Sequence, residues 1–69
     1  MKQQIDNNFK YHPPKEGQVD KYTDIRDVAK ALALTIDEYC PNSREKSLAI
    51  TKVEEAVMWA NASIARNEV

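Results

Sequence analysis

Between residues 40 and 43 the chain reads Cys-Pro-Asn-Ser, and on each side of this link lies a long stretch without proline or glycine. Pro41 pushes the residue before it out of the α region, so a helix arriving from the N-terminal side must stop there. On that side Tyr22, Ile25, Ala29, Leu32, Ile36 and Tyr39 recur at spacings of 3, 4, 3, 4 and 3, an apolar seam of coiled-coil type. Asp20 and Asp24 fall in the first turns, where negative charge suits the positive end of the helix dipole. Beyond the link, Asn42 is a suitable N-cap and Glu45 follows three residues on, as in a capping box. A second seam, Ile50, Val53, Val57, Ala60 and Ile64, carries a helix from Ser43 to about Arg66. A link this short requires the two helices to pack antiparallel. The predicted fold is all-α, a single domain with a short N-terminal arm over 1–18 and an antiparallel αα-hairpin over 19–69.

Such a hairpin is not self-sufficient. Two helices bury one stripe each, which rarely outweighs the entropy of ordering a chain of only 69 residues. The second helix also carries apolar and small residues off its seam, among them Met58, Trp59 and Ala62. Small residues admit another helix closely, and Trp and Met are typical interface residues. These three residues are the expected interface of a helical homo-oligomer. The competing expectation is a monomer in which the arm folds back over that face.

Composition excludes several classes. Hydrophobic content of 42% with 30% charged residues describes an ordinary soluble chain. No apolar run approaches the roughly 20 residues that span a bilayer, and the polar start MKQQIDNN is no signal peptide. A cytosolic protein without membrane contact is expected. A net charge of −1 argues against binding along nucleic-acid polymers, but it allows a small anion held by a few cations. Cys40 is the only cysteine and His12 the only histidine, so neither an internal disulfide nor a zinc site is expected. At a helix C-terminus Cys40 is disfavoured as a thiolate. Adjacent Glu54 and Glu55 point to different sides of a helix, so they do not form a carboxylate pair. Nothing resembles a Ser-His-Asp set or a phosphate loop. The expectation is a binding protein, not an enzyme, with no cofactor and no metal.

The arm is where binding chemistry concentrates. In FKYHPPKEGQ, Tyr11 and His12 offer flat rings for stacking on a nucleobase. Pro13 and Pro14 hold them extended with little entropy left to lose, and Lys15 adds a cation. On the first helix Arg26 and Lys30 are four residues apart and form one cationic patch suited to phosphate. Set against this, the arm residues serve only to pin the arm, and the helix cations pair with acids such as Asp27. The start of the second helix, Asn42-Ser43-Arg44-Glu45-Lys46, joins exposed N–H groups to two cations. That arrangement fits an anion site as well as a plain cap.

The runs YHPPKEGQ, NSREKSLA and EEAVMWANASIAR resemble a small phage hairpin-domain family that includes the anti-CBASS cyclic-nucleotide sponge, with similarity from about Phe9 to Glu68. CBASS is cyclic-oligonucleotide-based antiphage signalling, and a related sponge acting against Thoeris defence shares the hairpin. The resemblance implies a compact homohexamer in the cytoplasm of an infected bacterium. There it would bind cyclic nucleotide messengers without degrading them and so keep the effector inactive. It implies pockets between protomers for 3′,3′-cyclic dinucleotides, and leaves cyclic trinucleotides open as a second ligand class. Tyr11 matches the arm tyrosine that contacts the dinucleotide, and Arg26 falls where the family has a phosphate-facing basic residue. His12, Lys15 and Lys30 are added to this site on their chemistry. For the trinucleotide site the resemblance implies Arg44, with Asn42 and Ser43 as neighbours, although the short link departs from longer connections elsewhere in the family. The alternatives are a helical module docking on a host protein, and a sponge for the ADP-ribose messengers of Thoeris.

Overall fold

The structure is a computed structural model that describes residues 1–68. Three helices follow in order: α1 (Lys2–Asn8), α2 (Gln18–Tyr39) and α3 (Arg44–Asn67). The described residues contain no strand. The second and third helices form the predicted hairpin. Lys21 meets Glu68 at one end and Asp37 meets Lys46 at the other, which makes the pair antiparallel.

The ends of the helices follow local chemistry. Cys40 is extended (φ −99°, ψ 133°) and exposed, and α2 stops just ahead of Pro41 as the proline dictates. Gly17 opens α2 with φ 84°, in the left-handed region that favours glycine. The α3 cap lies one residue later than the sequence suggested. Ser43 Oγ, not Asn42, accepts the Lys46 amide N–H at 3.1 Å. The capping box with Glu45 is accordingly not formed, because the residue three positions after Ser43 is Lys46.

Before residue 9 the sequence shows no helical periodicity, yet Lys2–Asn8 forms α1. With so few residues, its stability must come from docking rather than propensity. The Asn7 side chain donates to the Arg66 carbonyl of α3, and the His12 ring donates to the Asn7 carbonyl at the open end of α1. The stretch from Tyr11 to Lys15 is irregular, as its prolines require.

The protomer has no core of its own. Among the described residues no hydrophobic side chain is fully buried, and the sole buried residue is Gln18, 4% exposed. Ile50, Val53, Val57, Ala60 and Ile64 are all half-buried along the α3 seam. On α2, Tyr22, Ile25, Ala29 and Ile36 are half-buried, while Leu32 and Tyr39 remain exposed. The molecule extends only 12 Å in its thinnest direction, one helix layer, so both broad faces of the hairpin are open. Met58 and Trp59 are 69% and 65% exposed, so the arm does not cover them. It lies instead against the C-terminal turns of α3, where Ala62 and Ala65 are half-buried. Among the described residues no helix is long and apolar enough to cross a membrane.

Gln18 ties the open end together. Its side chain accepts from the Lys15 amide N–H at 2.8 Å and donates to Glu68 at 3.2 Å, while Lys21 pairs with the same carboxylate. The Lys21 hydrogen bond, followed by that from Gln18, holds the Glu68 carboxyl below the usual carboxylate range.

Candidate functional site

A cleft of about 430 Å³, lined by both polar and apolar side chains, lies where the arm crosses the hairpin. The arm contributes Lys10, Tyr11 and His12; α2 contributes Tyr22 and Arg26; α3 contributes Asn61 and Arg66. Tyr22 and Arg26 share a face because they are four residues apart, and Ala62 and Ala65 leave room for the cleft floor. The volume falls in the range of small-molecule sites. Neither Arg26 nor Arg66 forms an ion pair among the described residues, so both guanidiniums remain available to an anion. The Asn61 Oδ1 atom is buried without a hydrogen-bond partner in the described structure, an acceptor left unsatisfied beside the cleft.

Of the five residues expected in the dinucleotide site, the structure brings Tyr11, His12 and Arg26 together. Tyr11 is 77% exposed, its ring free to stack. His12 is half-buried and only partly free, because its Nε2 lies 2.8 Å from the Asn7 carbonyl oxygen. A carbonyl only accepts, so Nε2 carries the proton. Lys15 does not line the cleft. Lys30 lines a neighbouring groove with Ala33 and Glu54, and Arg26 reaches both. Asp27 is not the partner of either helix cation. Lys21, on the same helix, is committed to Glu68.

The start of α3 offers less than its sequence suggested. Lys46 Nζ is held by the Asp37 carboxylate at 2.9 Å, the Asp37 carbonyl at 2.9 Å and Asn42 Oδ1 at 3.0 Å. Ser43 Oγ donates to the Pro41 carbonyl while it caps the helix. Asn42, Ser43 and Lys46 thus serve the turn itself, and Arg44 is the cation left without an ion pair there among the described residues. Arg44 is also at the far end of the hairpin from Arg26 and Tyr11.

A second groove, about 580 Å³, is apolar almost throughout. Ile25, Val28 and Leu32 line one wall, and Val53, Ala56 and Ala60 the other. Asp24 and Lys52 also line it. Among the described residues no cluster of His, Cys, Asp and Glu could hold a metal.

The sequence model of the Acb2/Tad1 hairpin domain matches residues 1–65, nearly the whole chain. The chain belongs to the Acb2/Tad1 hairpin-domain family. Acb2/Tad1 hairpin proteins are phage sponges for immune signalling molecules, which sets the class of ligand as small signalling nucleotides. The match includes residues 1–8, so α1 is part of the Acb2/Tad1 hairpin domain. No curated protein and no solved structure matches the chain.

Proposed function

We propose that the chain sequesters cyclic oligonucleotide messengers, 3′,3′-cyclic dinucleotides such as cyclic GMP-AMP first among them, and releases them unchanged. The observation that carries this reading is the cleft in which an exposed tyrosine ring stands beside two guanidiniums, Arg26 and Arg66, that form no ion pair among the described residues. A cyclic dinucleotide presents the matching parts, planar bases and two phosphates. Tyr11 stacks on a base, and the guanidiniums take the phosphates through charge-assisted hydrogen bonds. The protein acts in the cytoplasm of the infected bacterium and prevents effector activation in CBASS. Assembly into a homohexamer of about 47 kDa, six times 7.9 kDa, covers the open faces of the hairpin and closes the cleft against a neighbouring copy. Arg44 at the start of α3 is the remaining candidate contact for a cyclic trinucleotide.

The test mixes the protein with 3′,3′-cyclic GMP-AMP, filters off the complex, denatures it by heat and identifies the freed nucleotide by chromatography. Depletion followed by recovery of intact nucleotide supports the sponge, whereas recovery of a linear product identifies a phosphodiesterase. Arg26→Ala is expected to weaken binding by about 10- to 150-fold, the loss of a hydrogen bond to a charged group. Unchanged affinity in that variant overturns the site. A chain that ignores the nucleotide and sediments as a monomer, with Met58 and Trp59 open, is instead a docking module for a host protein.

A further inference from the structure

Along residues 1–11 every side chain is exposed except Asn7. Its amide Nδ2 donates to the Arg66 carbonyl, 3.4 Å away in the last turn of α3. Its own carbonyl accepts both the Lys10 amide N–H and the His12 ring at 2.8 Å. The first of these contacts is the one hydrogen bond that joins α1 to the hairpin among the described residues. The second turns the chain back so that Tyr11 reaches the cleft. We infer that Asn7 is a positioning residue, a latch that holds the arm and with it Tyr11 against α3.

The latch matters because a disordered arm must be ordered when ligand binds, and that entropy is subtracted from affinity. A latched arm has already lost it. The geometry also divides the labour within the latch. Asn7→Ala removes the bond to Arg66 but keeps the carbonyl that His12 caps, whereas His12→Ala does the reverse.

The role of this latch in binding rests on the sponge reading, so its test has one arm without ligand. Trypsin cleavage after Lys10, next to Tyr11, quickens when the arm opens, and the rate follows the open population. Asn7→Ala is expected to raise that rate about three- to tenfold, the yield of one lost neutral hydrogen bond, with the melting temperature of the hairpin unchanged. An unchanged rate overturns the latch. In the second arm, affinity for 3′,3′-cyclic GMP-AMP is measured in Asn7→Ala, Tyr11→Ala and the double variant. If Asn7 acts through Tyr11, Asn7→Ala weakens binding in the native background and has no effect once Tyr11 is gone. An equal loss in both backgrounds overturns action through Tyr11. Failure of the native protein to bind the nucleotide refutes the dinucleotide reading and leaves the latch to the cleavage rate.

Discussion

Val28 is 70% exposed in the protomer, on the wall of the apolar groove opposite Ala56 and Ala60. The protomer exposes 5825 Å² in all, whereas a compact chain of this mass exposes about 4,400 Å². The excess of about 1,400 Å² exceeds the ~800 Å² that each partner contributes to a standard interface, which fits the proposed assembly. Val28→Asp tests this directly. On a free surface such a change stays within about 0.5 kcal/mol. Under a neighbouring helix it strands a carboxylate without a partner, which costs about 3–5 kcal/mol. That is over 100-fold in an association constant, and it recurs in every copy. The assay is mass by light scattering, with thermal melting at two protein concentrations. The native protein is expected near 47 kDa with a melting temperature that rises with concentration, and Val28→Asp to fall to a smaller, partly unfolded species. A native-like mass and melting curve in Val28→Asp would refute the argument that this groove is covered.

Three further outcomes follow from the fold. Lys46→Met removes three contacts at the turn; since Asp37 is largely exposed and its ion pair is screened, the hydrogen bonds dominate and the melting temperature falls by the equivalent of about 2 kcal/mol. Gly17→Ala meets no neighbouring atom within 4 Å, so its cost is the backbone's alone, about 1–2 kcal/mol at φ 84°, again read from melting. Glu68 has a lowered folded pKa, so its contribution is full above the ordinary value of 4.5 and is lost as pH falls through the folded value. The melting gap between native protein and Glu68→Gln should be present at neutral pH and close in acid, and a gap that ignores pH would overturn the role given to Lys21.

The hairpin was legible because its signals are local. Pro41 ends one helix, and the 3–4 spacing marks the seam from Ile50 to Ile64 that the structure half-buries. The first helix was not legible, since KQQIDNN has a single apolar residue and its support comes from Asn7 and His12 contacts across the fold. The cap moved from Asn42 to Ser43 because both residues can accept, and the choice depends on where Lys46 reaches. At the cleft, ring and cation chemistry pointed to Tyr11, His12 and Arg26, and the family resemblance pointed to Tyr11 and Arg26 as well. Asn61 and Arg66 escaped notice because the angle at which the arm crosses α3 is not encoded in any periodicity. That EEAVMWANASIAR carries small residues beside an asparagine and an arginine was the available signal, and it reads equally well as helix packing.

Cys40, exposed at the turn between α2 and α3, is the sole thiol in the chain. At 1.5 Å per residue the 22 residues of α2 put it about 33 Å from Gly17, and about 21 Å along the helix from Arg26 in the cleft. A maleimide dye attached there becomes a reporter that a dinucleotide in this cleft does not touch. Its fluorescence anisotropy follows assembly by tumbling rate, and energy transfer between labelled copies maps their arrangement in native sequence, with no residue exchanged.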